Sequence, residues 1–101
     1  MASKKEKIWL GKAAEFGCVV CRKVHEVEDL PPACIHHIRD HTGIGIRSDH
    51  YNILPLCHYH HQGKEGLHHI GKQTWEEKYG TQRSLQQWFL NKIGGYGDYD
   101  G

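Results

Sequence analysis

The chain has 101 residues, a formal net charge of +1 and a hydrophobic fraction of 38%. This length is that of one ordinary domain and excludes a two-domain organisation. Because a chain this short buries only about 60–65% of its unfolded surface, we expect its small core to need additional stabilisation. No apolar run approaches the roughly 20 residues of a membrane span and no secretory signal pattern is present, so we expect a soluble, cytoplasmic protein without membrane contact.

The contents of cysteine and histidine suggest where that stabilisation comes from. The chain contains four cysteines and ten histidines. In a reducing compartment, cysteines are more often metal ligands than disulfide partners. The net charge of +1 argues against a protein that holds nucleic acid by a strong basic excess alone. Metal binding is therefore the first hypothesis.

The N-terminal half is predicted to contain one helix and a pair of strands. Ser3 and Glu6 have the spacing of a capping box and Gly17 can end a helix, which predicts a helix over residues 4–16. The next predicted elements are, in chain order, a turn over 18–21, a loop over 23–32, a strand over 33–38, a flexible loop or wide hairpin connection over 39–50 and a returning strand over 51–54.

The C-terminal half is predicted to be helical. We expect a short helix in the His-rich stretch 58–64, because the ligand spacing described below requires one. Thr74 and Glu77 repeat the capping-box pattern, which predicts a helix over 75–79 that Gly80 ends.

A last helix, opened by Thr81 or Ser84, is predicted to run to residue 93. Its apolar residues lie on one face, which we interpret as core rather than as a surface for stacking bases. These residues are Leu85, Trp88, Phe89 and Ile93. Residues 94–101 are rich in Gly, Asp and Tyr and are predicted to be a disordered tail, so the single domain spans residues 1–93.

Two ligand pairs with the same spacing indicate a structural zinc site. Cys18 and Cys21 form a Cys-x2-Cys motif, and Cys57 and His60 form a Cys-x2-His motif. At this spacing a tight turn presents two donors to one tetrahedral ion, and a site closed by four protein ligands is structural rather than catalytic. Such a site would tether the N-terminal helix to the end of the returning strand. Cys34 is a rival to His60 for the fourth position.

The residues that remain resemble, in their order along the chain, the HNH nuclease superfamily. The resemblance covers residues 18–69 and rests on Cys-x2-Cys, ACIHHIR and NILPLCHYHH, at residues 18–21, 33–39 and 52–61. It implies a ββα-metal finger, in which two strands and a helix hold a divalent ion used for DNA cleavage. Carried over position by position, it implies that His36 is a metal ligand, His37 the general base, Asn52 a brace for the loop and His61 a second ligand.

A narrower resemblance extends from His36 to His69 and includes the segment TWEEKYGT that follows. This part of the chain is similar to the phage recombination enhancement function nucleases, which depend on host RecA. The resemblance implies DNA as the substrate, a RecA filament as a partner and a bacterial host cell as the location. It also implies a third metal ligand after a Gly-rich turn, a position that His68 matches best and His69 next best. The chain lacks most of the long basic N-terminal segment of that family.

The adjacent histidines suit a division into one ligand and one base. Neighbouring residues of a strand point to opposite sides, so His36 and His37 do not normally reach one ion together. An imidazole with an ordinary pKa of about 6.5 is matched to removing a proton from water near neutral pH. Imidazole ligands with open positions for water accept Mg²⁺, Mn²⁺, Ni²⁺ or Zn²⁺ as the catalytic divalent metal. Arg39 and Arg47 flank this site and are candidates for DNA phosphate contacts.

The expected fold class is α+β, a small ββα-metal (HNH) finger with a structural zinc knuckle and flanking helices. The expected function is that of a metal-dependent DNA endonuclease that hydrolyses phosphodiester bonds, in phage or prophage recombination. Two alternatives remain, a zinc-stabilised DNA- or protein-binding module without cleavage activity and a purely structural metal-binding adaptor. His37 separates the first reading from the others, because only a nuclease needs it beside His36.

Overall fold

The structure is a computed structural model and describes residues 3–38 and 51–94. These residues form a small α+β architecture of six helices and one two-stranded antiparallel sheet. In chain order the elements are α1 (Lys4–Phe16), α2 (Val19–Lys23), β1 (Cys34–His37), β2 (Ile53–Leu56), α3 (His58–His61), α4 (Leu67–Ile70), α5 (Lys72–Tyr79) and α6 (Gln82–Ile93). The predicted loop over 39–50 and all but the first residue of the predicted tail lie outside the described residues.

Helix α1 has the bounds that its capping signals predict. The Ser3 hydroxyl accepts a hydrogen bond from the backbone N–H of Glu6 at 3.2 Å, and the Glu6 carboxylate accepts one from the N–H of Ser3 at 2.7 Å. Gly17 ends the helix with a φ of 90°. A Cβ at this position would come within 2.9 Å of Leu30 Cβ. Glycine is therefore required both by the backbone angle and by the close approach of the loop after α2.

The strand pair is shifted toward the C-terminus at β2, relative to the prediction over 51–54. Ile35 lies opposite Pro55 in the antiparallel register. The N–H of Ile38 donates to the carbonyl of Asn52, and hydrogen-bonded pairs alternate with non-hydrogen-bonded pairs in such a ladder. The position of Pro55 is thus one where an N–H would point away from the partner strand. Proline removes no bond there, so the strand continues through it.

The structure corrects the predictions at four helices, since α3 ends at His61 and not at residue 64. The predicted turn over 18–21 is the start of helix α2, with Cys18 as its N-cap. Helix α4 is absent from the prediction, because four residues show no apolar period. Helix α5 begins at Lys72, after Gly71, so Thr74 lies inside it and is not its cap. Gly80 does end α5, with a φ of 110°.

The core lies between the strand pair and the helices that cover it. All four residues of β2 are buried. Trp9 of α1 and Phe89 of α6 are also fully buried, with ring centroids 5.7 Å apart. Leu85 is fully buried beside them, while Trp88 packs against the core and keeps part of its surface exposed. The interpretation of the apolar face of α6 as core is therefore confirmed at Leu85 and Phe89.

Among the helices of residues 3–38 and 51–94, none combines the length and the apolar character that crossing a membrane requires.

Candidate metal centres

Two short helices present the first group of metal-ligand side chains in the same way. Cys18 is the N-cap of α2 and Cys21 lies one turn into it; Cys57 is the N-cap of α3 and His60 lies one turn into that helix. Residues three apart at a helix start share one side of the helix. Each Cys-x2-Cys or Cys-x2-His motif is thus one helical turn with both donors on one side, and the two turns face each other.

The distances within this group fit a tetrahedral zinc ion. With Zn–S near 2.3 Å and Zn–N near 2.0–2.1 Å, tetrahedral ligands stand about 3.8 Å apart for two sulfurs and about 3.5 Å apart for sulfur and nitrogen. The Sγ atoms of Cys21 and Cys57 are 3.9 Å apart. His60 Nδ1 lies 3.2 Å from the sulfur of Cys57 and 3.6 Å from those of Cys18 and Cys21. The four residues lie within ligand distance of one another and could hold a structural metal ion.

Burial favours the uncharged forms of Cys18, Cys21 and His60. Desolvation is the largest influence on the thiols, raising the pKa of Cys18 and raising that of Cys21 to about 12. It also lowers the pKa of His60 to about 4, so this imidazole is neutral at pH 7 and has a lone pair for a metal. One buried thiol, two half-buried thiols and one neutral imidazole form a soft donor set suited to zinc. Cys34, the rival fourth ligand, is exposed and lies outside the group.

The second group consists of three imidazoles from three elements. His36 lies on β1, His61 on α3 and His68 on α4, and each offers a ring nitrogen within 4.8 Å of the others. The Nε2 atoms of His61 and His68 are 3.1 Å apart. His36 and His61 are buried whereas His68 is exposed, so the group is open to solvent on the α4 side. His69 is exposed like His68 but is not part of the group. Of the two candidates for the third ligand, the group therefore includes only His68.

His36 is the most constrained of the three imidazoles. Its Nε2 lies 2.8 Å from Oε1 of Gln82, the first residue of α6. Desolvation lowers the pKa of His36 to about 4, outweighing the hydrogen bond to Gln82, which acts in the opposite direction. His61 also has a lowered pKa, again chiefly through desolvation. Both are therefore neutral at pH 7, the form in which an imidazole binds a metal.

His37 directly follows His36 at the end of β1, and Asn52 lies at the facing start of β2. His37 is the last residue of β1, half-buried, and is close enough to contribute to the lowered pKa of His36. Asn52 directly precedes β2 and is buried. Its Nδ2 donates to the carbonyl of Ile38 at 2.9 Å, which joins the end of one strand to the beginning of the other.

Two residues near the start of α6 bind the oxygen of the Asn52 side chain. Its Oδ1 accepts hydrogen bonds from a guanidinium nitrogen of Arg83 at 2.6 Å and from Nε2 of Gln86 at 3.2 Å. The same Arg83 nitrogen donates to Oε1 of Gln86 at 2.8 Å. The sequence analysis missed these polar residues of α6, because they lie more than 30 residues from their partners and follow no local motif. Arg39 and Arg47, the predicted phosphate contacts, lie outside the described residues.

The sequence matches no protein-family model and has no match among curated proteins.

Proposed function

We propose that the chain is a metal-dependent DNA endonuclease of the HNH type, with β1, β2 and α3 as a ββα-metal finger. The observation that carries the proposal is the convergence of His36, His61 and His68. His37, the candidate base, directly follows His36 on β1. A purely structural metal site does not need this second group, since Cys18, Cys21, Cys57 and His60 already form a complete four-donor set.

Three imidazoles, two of which burial favours in the neutral form, fit a divalent ion that keeps open positions. Three protein ligands are fewer than a closed tetrahedral site requires, and the exposed side at His68 leaves room for water and a phosphate oxygen. When bound there, a divalent ion would supply charge stabilisation to the phosphate and to the leaving 3′ oxygen. His36, His61 and His68 are the residues that would hold it.

His37 acts as the general base in this proposal. Its imidazole takes a proton from a water molecule as the water oxygen forms a bond to phosphorus. The bond from phosphorus to the 3′ oxygen breaks, and that oxygen leaves with the electron pair and takes a proton from solvent. Asn52 fixes the strand ends so that His37 keeps its position. Arg39 and Arg47 are the residues that the sequence suggests for phosphate contacts.

The test is cleavage of plasmid and single-stranded DNA with Mg²⁺ or Mn²⁺, against a chelator control. His37→Ala should lower the rate by about 10²–10⁴, the usual contribution of a general base. It should leave the zinc content unchanged, because His37 belongs to neither ligand group. His69→Ala is the matched control, since it removes an exposed imidazole outside the group. Cleavage by His37→Ala at the wild-type rate would disprove the assignment of the base.

The ligand roles have a separate signature. His36→Ala and His61→Ala should weaken binding of the catalytic ion, so their cleavage should partly recover as the metal concentration is raised. His37→Ala should show no such recovery. Equal metal dependence in all three variants would contradict the division into ligands and base.

A zinc-stabilised binding module for DNA or protein is the second candidate. The observation that favours it is the completeness of the four-donor group, which can stabilise the fold whatever the three imidazoles do. The two candidates differ in one measurement. A folded, zinc-loaded chain that binds DNA or protein but does not cleave DNA with any of Mg²⁺, Mn²⁺, Ni²⁺ or Zn²⁺ would support the binding module.

A further inference from the structure

Gln82 is a buried polar residue at the start of α6, and hydrogen bonds hold the backbone around it. It is 6% exposed. Its backbone N–H donates to a carboxylate oxygen of Glu76 at 2.7 Å. The preceding residue, Thr81, caps α6 by accepting a hydrogen bond from the N–H of Ser84 at 3.1 Å. The backbone that carries the Gln82 side chain is therefore held in place, and Oε1 of that side chain lies 2.8 Å from His36 Nε2.

This contact favours one nitrogen of His36 over the other as the metal ligand. A neutral imidazole carries one proton, on Nδ1 or on Nε2, and the nitrogen that carries it cannot bind a metal ion. The amide oxygen of Gln82 is an acceptor only, so it favours the tautomer with the proton on Nε2. The lone pair then lies on Nδ1. His60, in the four-donor group, likewise presents Nδ1 to its neighbours.

We propose that Gln82 is a positioning residue for the metal bound by His36, His61 and His68. It accepts the Nε2 proton of His36 and so holds the ring in the orientation and tautomer that present Nδ1 to the metal. Partners of this kind stabilise a metal-bound histidine by fixing its ring and by raising the basicity of the ligating nitrogen. The inference rests on the proposed function, since it concerns the same metal site.

The tautomer of His36 is the direct test and requires no cleavage assay. Long-range ¹H–¹⁵N spectra of the zinc-loaded, ¹⁵N-histidine-labelled protein should show the Nε2–H form for His36, identified by its absence from His36→Ala. On addition of a second equivalent of Zn²⁺, the proton should remain on Nε2. A proton on Nδ1 in the wild-type protein, or loss of the Nε2 proton on metal binding, would overturn the proposal; the latter would mean that Nε2 itself is the ligand atom.

Metal affinity gives the second test. Binding of Co²⁺ at the three imidazoles, followed by its visible absorption, should weaken about 10–100-fold in Gln82→Leu, the usual effect of removing such a partner. Gln82→Glu keeps an acceptor oxygen and should bind Co²⁺ at least as tightly as the wild type. Gln87→Leu, an exposed glutamine on the same helix, is the control and should change nothing. Wild-type Co²⁺ affinity in Gln82→Leu would overturn the proposal.

The two hypotheses fail in different ways. A wild-type protein that binds Co²⁺ and shows the expected tautomer but does not cleave DNA contradicts the nuclease and leaves the role of Gln82 intact. A wild-type protein that cleaves DNA while Gln82→Leu binds metal normally contradicts the role of Gln82 alone. A failure of Gln82→Leu to fold, visible as lost zinc and lost circular dichroism, leaves the decision to the wild-type spectra and to Gln82→Glu.

Discussion

The Nε2 atoms of His61 and His68 lie 3.1 Å apart, although seven positions separate the two residues and each lies on a different helix. The turn between α3 and α4 allows this. The N–H of Gly66 donates to the carbonyl of Gly63 at 2.9 Å, which closes the turn. A Cβ on Gly66 would stand 2.6 Å from the carbonyl carbon of His61 and 2.7 Å from the nitrogen of Gln62. Backbone atoms meet here with no space for a side chain, so α4 returns directly against α3.

Gly66→Ala should push the two helices apart and disturb the three-imidazole group. Because the obstructing atoms are backbone, they cannot move aside as a flexible side chain can. We expect a loss of about 1–3 kcal/mol in the free energy of unfolding, the usual cost of overpacking. Weaker Co²⁺ binding at the three imidazoles should accompany it, with the four-donor zinc retained.

Gly11→Ala is the control for Gly66→Ala. Gly11 lies within α1, and a Cβ there would meet no atom within 4 Å. Alanine at an open helical position should stabilise the protein by about 0.5–1 kcal/mol. Denaturant unfolding and Co²⁺ titration measure both variants. Unchanged Co²⁺ affinity in Gly66→Ala would show that the close turn does not position His68.

Cys57→Ser should remove the tightly bound zinc and lower the melting temperature strongly. In zinc-finger peptides the free energy of zinc binding, about 10–16 kcal/mol, is also free energy of folding. Cys34→Ser is the matched control, because Cys34 is exposed and outside the group, and it should retain zinc and stability. Metal analysis after dialysis and thermal unfolding measure both effects. Full zinc content in Cys57→Ser, or loss of zinc in Cys34→Ser, would contradict this ligand set.

Asn52→Ala should destabilise the fold even where no metal is bound. The substitution leaves the carbonyl of Ile38 without its side-chain donor and removes the acceptor shared by Arg83 and Gln86. Leaving buried polar groups unsatisfied costs about 1–3 kcal/mol. Asn91→Ala, on the exposed side of α6, should stay within about 0.5 kcal/mol of the wild type. Denaturant unfolding with excess chelator would decide, and equal stability of the two variants would remove the bracing role.

Local signals account for what the sequence could predict. The bounds of α1 follow from Ser3, Glu6 and Gly17, whose side-chain and backbone properties act within one turn of the helix ends. The Cys-x2-Cys motif at Cys18 and Cys21 and the Cys-x2-His motif at Cys57 and His60 are visible in the sequence as candidate ligand pairs. The sequence could not decide between His60 and Cys34 as the fourth ligand. The two residues lie on different elements, and only the packing of the fold leaves Cys34 exposed.

The residues that the sequence could not reveal act over long separations. Gln82 meets His36 across 46 positions. A single polar residue at the start of a helix looks like an ordinary solvated residue, because no period or motif marks its partner. Helices α2 and α4, with five and four residues, are likewise too short to show an apolar period.

The expectation of a RecA filament as partner starts from the charge of the chain, which is low for a protein with a candidate nuclease site. A net charge of +1 offers little attraction to a phosphate backbone, and neutralising even six phosphates makes binding steeply dependent on salt. We therefore expect slow cleavage by the chain alone.

The resemblance to the recombination enhancement nucleases implies that a RecA filament could deliver the DNA, by raising its local concentration at the site without adding catalytic groups. Cleavage should then rise when RecA, ATP and single-stranded DNA are present together, at about 0.15 M salt where long-range attraction is screened. The control is His37→Ala with the same filament, which should stay inactive if the filament supplies substrate and not chemistry. Equal wild-type cleavage with and without the filament would exclude the partner and leave the nuclease proposal standing.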